Sequence, residues 1–402
     1  MKENFKKKVF ENGFTLIFEK REVPVVSMAL AVRQGGIHED LNEKGISHFI
    51  EHMLYKGTEK RSSRKIAEDI EKSGGEMNGF TSDELTAYWC KMPSKNADKG
   101  LDVLIDIVKN SVFDEKEFEK ERQVIFEEIK MYKDNPRMHV FDEIQKCLYG
   151  GTMGINLAGT HETMNSITRE EMVKRFKEIY VPNNMVLCVV GDYDFDKLVK
   201  IVEENFPGKG EGITVKEFDL KKETREEERE GIDQANLVFA YHSPLATDSR
   251  DPIAEVLITL LAGGMSSRLF AEIREKRNLA YSVKGDLNSN KNFSFSFIYV
   301  GCKPENVSPV KDLILEEYKK VSEELTLEEL EEVKEQLIGN YHISMEDSQS
   351  QMVGLLGNEI HTKAEDYYGF EEDIRNVQLE DVKKMASEVK EGEFSFFSLV
   401  PK

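Results

Sequence analysis

Apolar residues open the chain in short extended runs. Val9-Phe10 and Phe14 to Phe18 flank Asn12-Gly13, a dipeptide that favours a hairpin, and Val25 to Val32 is an apolar run suited to a buried strand. The period then changes. Gly45 to Lys56 and Ser63 to Ser73 carry helical spacing, strands follow near Glu76 to Thr81 and Leu85 to Met92, and helices at about Lys95 to Ser111, Glu115 to Lys133 and Arg137 to Leu148. A glycine-rich loop, GGTMGINLAGT, leads to a helix from Arg169 to Tyr180, and Met185 to Val190 reads as a closing strand.

Residues 207–230 are highly charged, have little apolar periodicity and contain three glycines, so they read as an interdomain linker. Beyond them the order of elements repeats. Strands are expected at Ala235 to Tyr241, Leu279 to Asp286, Phe293 to Tyr299 and Phe394 to Leu399. Helices are expected at Pro252 to Leu261, Ser267 to Lys276, Pro304 to Val321, Leu327 to His342, Ser348 to His361 and Leu379 to Val389. An offset of about 210 residues aligns ITREEMVKRF (Ile167 to Phe176) with VQLEDVKKMA (Val377 to Ala386) and also aligns the closing strands, the mark of a duplicated unit. The expected division is a domain of residues 1–206, the linker 207–230 and a second domain of residues 231–402.

Composition narrows the possible functions. The 402 residues suit two to three domains at roughly 150 residues each, and 39% hydrophobic against 33% charged residues excludes a disordered or fibrous chain. Lys and Arg number 55 against 76 Asp and Glu, a net charge of −21 that repels phosphate backbones and makes nucleic acid an unfavourable partner. Basic ligands suit it better. The four cysteines, Cys90, Cys147, Cys188 and Cys302, form no CxxC pair, and no apolar run reaches the roughly 18 residues of a membrane span. With no signal-peptide pattern at the N-terminus, a cytoplasmic location is expected.

The segment that carries chemistry is GISHFIEHML, residues 45 to 54. On a helix, at about 100° per residue, Ile46, Phe49, Ile50, Met53 and Leu54 share one stripe, and His48, Glu51, His52 and Tyr55 the other. Two imidazoles one turn apart with a carboxylate between them can grip a tetrahedral metal ion, and only 8 histidines occur in the whole chain. A catalytic zinc needs a third protein ligand and an open position for water. Candidates lie in ERQVIFEEIK, residues 121 to 130, where Phe118, Val124 and Ile125 mark part of the buried face. Glu121, Glu127 and Glu128 compete, and spacing leaves Glu127 and Glu128 equal.

HxxEH is the motif of the inverted zincins (inverzincins), in which the Glu beside the second His is the general base. Over nearly its whole length the chain resembles the pitrilysin/insulinase zinc peptidases, and among them the shorter chains similar to mitochondrial processing peptidase and its bacterial homologues. The resemblance implies an α+β fold of two homologous domains, each a mixed, largely antiparallel sheet packed with helices. It also implies a metalloendopeptidase with one Zn²⁺ per chain, held by His48, His52 and Glu128, with Glu51 as base and Glu121 supporting a ligand histidine from outside the ligand set. GGEMNGFTS (Gly74 to Ser82) resembles the family's substrate-pairing edge strand, which assigns Asn78, Gly79, Phe80 and Thr81 to substrate binding. AGGMSSRLFAEIREKRNLAYSV (Ala262 to Val283) resembles the segment whose Arg holds substrate and whose Tyr steadies the oxyanion, here Arg274 and Tyr281. Two features depart from the family: Thr152-Met153-Gly154 replaces a common Pro-Leu-Gly, and Gly79 stands where Ala is frequent. The second half has no matching histidine pair, so it is expected to lack metal ligands.

Such chains build a closed four-domain chamber for unfolded peptides or small proteins. This one, with two domains, is expected to form a homodimer acting on peptide substrates, basic ones by the charge argument. Two alternatives stand beside the protease: a noncatalytic partner or assembly subunit of the same fold, and a zinc hydrolase of small molecules.

Overall fold

The computed structural model of the protein describes residues 4–402; residues 1–3, where the first domain was expected to begin, lie outside them. Contacts divide the chain into two compact units, one of Met1–Lys130, Ile155–Glu217 and Ser344–Tyr368, the other of Met131–Gly154, Phe218–Ile343 and Gly369–Lys402. Both are α+β, as expected.

The first unit is built on β1 (Phe5–Val9), β2 (Thr15–Lys20), β3 (Val25–Val32), β4 (Glu76–Thr81), β5 (Thr86–Pro93) and β6 (Met185–Gly191), in the order β1-β2-β6-β3-β5-β4. Only the β2–β6 pair is parallel. The expected hairpin joins β1 and β2: Gly13 takes a positive φ of 90°, and Asn12 Oδ1 accepts the Phe14 N–H at 3.1 Å. Side chains alternate across β3. Val26, Met28, Leu30 and Val32 join a core with α1 (Ile46–Leu54), α2 (Ser63–Glu71), α3 (Ala97–Asn110) and α4 (Glu115–Asp134). Ala29 and Ala31 face the opposite way, against Met352, Leu355, Leu356 and Ile360 of the helix Ser348–His361. A strand covered on both faces has no solvent side, which is why Val25 to Val32 is apolar except for Ser27, whose hydroxyl pairs with that of Ser348 at 2.8 Å.

In the second unit β7 (Thr224–Arg229), β8 (Ala235–His242), β9 (Ala280–Ser289), β10 (Ser294–Cys302) and β11 (Ser395–Pro401) run in the order β7-β11-β8-β10-β9. This repeats the first sheet without β1. Its one parallel pair, β7 with β11, stands where β2 and β6 stand, so the duplication expected from sequence is present in the topology.

Two expectations about the division of the chain need correction. The stretch 207–230 is not linker throughout, because its end is β7, the counterpart of β2. As an edge strand with alternating exposure, TREEER needs no apolar face, and its charges protect an open edge from further pairing. The units are also not continuous in sequence. The helix α5 (Pro136–Leu148) belongs with the second unit, where the Phe141 ring lies 5.0 Å from that of Phe297, and Ser348–His361 belongs with the first. Each sheet is covered on its second face by a helix from the other half of the chain, a long-range contact that local periodicity does not contain. Short helices at His161–Ser166, Phe195–Asn205 and Phe370–Asn376 were also not expected.

Leu355 is fully buried in the layer between the first sheet and its covering helix. Leu355→Ala is expected to lower the unfolding free energy by about 2–5 kcal/mol, measured by urea denaturation; a loss below about 1 kcal/mol would mean that this helix is not packed on the sheet.

Candidate metal centre

The start of α1 is fixed by a buried carboxylate. Gly45, at φ 96°, turns the chain into the helix, and Glu39 accepts the backbone N–H groups of Gly45 at 3.0 Å and Ser47 at 2.8 Å, near the helix start. The fully buried Lys44 ammonium donates to Gly36 O at 3.0 Å, 3.7 Å from the Glu39 carboxylate, and ties the preceding loop to the same point. Ile46, Phe49, Ile50, Met53 and Leu54 are all buried, which sets the direction of the other face.

On α4, Phe118, Glu121, Ile125 and Glu128 follow one another at three- and four-residue steps and therefore share a face. The Phe118 ring stacks on Phe49 of α1 at 4.7 Å, with 13° between planes. Arg122 lies 4.8 Å from the Phe118 ring and donates to the carbonyls of Ile167, at 3.0 Å, and Met164. These contacts hold the two helices in register. Val124, expected in the buried face, is 43% exposed, because one residue back from Ile125 it is turned about 100° away. The same rotation leaves Glu127 exposed and brings Glu128 to α1.

Glu128 Oε2 lies 3.6 Å from His48 Nε2 and 3.6 Å from His52 Nε2. Among the described residues these three form the one group of donors that could hold a metal ion, all mutually within 4.8 Å. Glu128 Oε2 is buried with no hydrogen-bond partner. A tetrahedral zinc with bonds of about 2.0–2.1 Å sets its ligand atoms about 3.4 Å apart, so one carboxylate oxygen flanked by two imidazole nitrogens fits that ion.

Protonation distinguishes the two histidines. Burial, reinforced by the neighbouring His52, lowers the His48 pKa to about 3, which keeps its imidazole neutral and a ring-nitrogen lone pair free to bind a metal. His52 Nδ1 donates to Glu121 Oε2 at 3.1 Å, which orients the ring so that its Nε2 faces Glu128. Burial works against charge on His52, but the Glu121 hydrogen bond and the carboxylates of Glu128 and Glu51 carry its pKa upward. Burial also opposes the Glu121 carboxylate, yet hydrogen bonds from His52 and from Lys56, at 2.6 Å, hold it below its ordinary range. Glu51 is 9% exposed; burial raises its pKa, against a hydrogen bond from Thr81 Oγ1 to Oε2 at 2.6 Å.

The expected substrate strand is β4, at the edge of its sheet, with β5 as its neighbour. Asn78 is exposed, and its Oδ1 accepts the Gly79 N–H at 2.9 Å. Phe80 packs toward the layer under Ser348–His361, whereas Thr81, by its bond to Glu51, faces α1. Arg274 and Tyr281 belong to the second unit. Arg274 lies in a π-helical turn, Phe270–Lys276, with its guanidinium 4.8 Å from the Phe270 ring; Tyr281, on β9, is 45% exposed.

Sequence reasoning missed Lys56, although it stands four residues after His52 and so one turn further along the same face, and it missed the tie between Thr81 and Glu51. The first was visible in the spacing; the second joins a helix to a strand thirty residues away and left no local signal.

Comparison with known proteins names the family to which this duplicated α+β fold and its cluster of metal-binding side chains belong. The family described as Insulinase (Peptidase family M16) matches residues 15–161, and the one described as Peptidase M16 inactive domain matches residues 166–337. A Bacillus subtilis (strain 168) protein named "Uncharacterized zinc protease YmxG" is 36% identical over 350 residues, covering 85% of each chain. A Rickettsia felis protein, also named an uncharacterized zinc protease, is 33% identical over 351 residues, covering 86% of this chain and 85% of its own. Among solved structures, a protease from Helicobacter pylori shares the fold with a TM-score of 0.91 over 99% of both chains, at 22% identity. One described as a peptidase M16 inactive domain from Pseudomonas fluorescens does so at 0.89 over 99% of this chain and 98% of its own, at 20% identity. The chain belongs to the M16, or insulinase, family of peptidases.

The geometry predicts one bound zinc per chain. Elemental analysis after desalting is expected to give about one equivalent for wild type and close to none for Glu128→Ala; equal zinc in both would exclude Glu128 as a ligand.

Proposed function

We propose that the protein is a zinc metalloendopeptidase, with the ion held by His48, His52 and Glu128. One observation carries the reading: two imidazole nitrogens and one carboxylate oxygen converge beside Glu51, a buried carboxylate on the same helix. Zinc in that position would act as a Lewis acid on a peptide carbonyl and make water at the open position more acidic. Glu51 accepts the proton of the attacking water and returns it to the leaving amine, while Glu121 holds the His52 ring in the tautomer that faces the ion.

The remaining roles belong to the same proposal. An extended peptide adds to the open edge of β4 along Asn78, Gly79, Phe80 and Thr81. Arg274 holds the substrate, and Tyr281, whose pKa burial raises to about 12, stays protonated and donates to the oxyanion. Two copies of a two-domain chain would enclose a chamber that admits unfolded peptides or small proteins, and the assembly decides which copy's centre Arg274 and Tyr281 serve. With a net charge of −21, such a chamber favours substrates carrying Lys or Arg. No helix among the described residues is long and apolar enough to cross a membrane.

A second reading, a noncatalytic subunit of the same fold, is favoured by the description "inactive domain" attached to the family matching residues 166–337 and to the Pseudomonas fluorescens structure. Glu51→Gln separates the two. On the protease reading, this variant keeps its zinc and loses peptide hydrolysis by about 10²–10⁴-fold; wild type that binds zinc yet cleaves no peptide would support the subunit. Digestion of a mixed peptide library is expected to favour sequences with Lys or Arg near the cut. An acidic preference, or none, would remove the argument from charge.

A further inference from the structure

The end of β4 makes a contact that its place on an edge strand does not require. Thr81 Oγ1 donates to Glu51 Oε2 at 2.6 Å, and Thr81 pairs with Thr86, whose own hydroxyl donates to Gln34 O at 2.9 Å. Two residues earlier, on the same face of the strand, a Cβ on Gly79 would stand 3.0 Å from Glu51 Oε1 and 2.6 Å from the Tyr55 hydroxyl. The strand therefore runs close along both carboxylate oxygens: a hydrogen-bond donor meets one, and bare backbone lies beside the other. Tyr55 does not supply the donor here: its hydroxyl is buried without a hydrogen-bond partner. A glutamate side chain turns about three bonds, so without that anchor nothing on the strand fixes the direction of its carboxylate relative to the ligand atoms.

We propose that Thr81 is a positioning residue for peptide hydrolysis: its hydroxyl holds the Glu51 carboxylate in the working rotamer and sets it relative to a peptide paired along β4. This rests on the reading of Glu51 as the general base. The consequence is a division of labour within the strand, its backbone edge available to substrate and its inward face aligning the base. The sequence resemblance placed Thr81 among the substrate contacts, whereas its side chain is directed to the catalytic helix.

The two assignments differ in kinetics. If Thr81 positions the base, the nearly isosteric Thr81→Val lowers kcat by about 10- to 100-fold with KM almost unchanged, and Thr81→Ser, which keeps the donor, restores most of it. Thr81→Ala, which removes both the donor and the methyl group, should behave like Val, and one zinc per chain in each variant shows that the centre is still assembled. Wild-type kcat in Thr81→Val or Thr81→Ala overturns the proposal. A raised KM with unchanged kcat does so as well and returns Thr81 to the substrate contacts. Glu51→Gln, assayed in parallel, separates the two levels: full activity there removes the base itself and this proposal with it, whereas an inactive Glu51→Gln beside a fully active Thr81→Val removes only the role of Thr81.

Discussion

The structure depends on a demanding convergence. Two nitrogens on α1 and one oxygen on α4, more than seventy residues apart in the chain, must meet within a few ångströms, with enough precision for a single ion to touch all three. No local preference can do this. It is achieved by packing next to the site: Phe49 on Phe118, Arg122 anchored to two carbonyls, and the start of α1 fixed by Glu39. The polar side of α1 is also not an ordinary solvent face. Glu51 is buried, and both histidines keep less than a fifth of their side-chain surface exposed, so the polar groups there depend on one another rather than on water.

Among the described residues, the duplicated half has no group of donors like that of the first. Gly285 on β9 corresponds to Gly79 on β4, and a Cβ there would meet the Cβ of Ala262 and Cδ1 of Ile258 rather than a tyrosine hydroxyl and a carboxylate. By this correspondence Ile258 stands in the place of Glu51 and Ala262 in the place of Tyr55. At these two positions the second half offers hydrocarbon where the first has a carboxylate and a phenol.

What was legible in the sequence follows from the range of each interaction. The helix carrying His48 and His52, the hairpin at Asn12-Gly13 and the buried run Val25 to Val32 are local patterns, and the structure contains them. The strand Thr224–Arg229 escaped notice because an edge strand has no need of apolar alternation, and the exchange of α5 and Ser348–His361 between units depends on contacts across hundreds of residues. The choice between Glu127 and Glu128 was open on spacing alone. It turns on the rotation of α4 set by Phe118 and Ile125, with Glu128 facing α1 and Glu127 facing solvent.

The most direct test is X-ray absorption at the zinc edge of the purified protein. A zinc held by His48, His52 and Glu128 gives a shell of nitrogen and oxygen donors at about 2.0–2.1 Å, with outer scattering from two imidazoles that is reduced when His48 is replaced by Ala. A sulfur shell near about 2.3 Å, or zinc without any imidazole scattering, would contradict it.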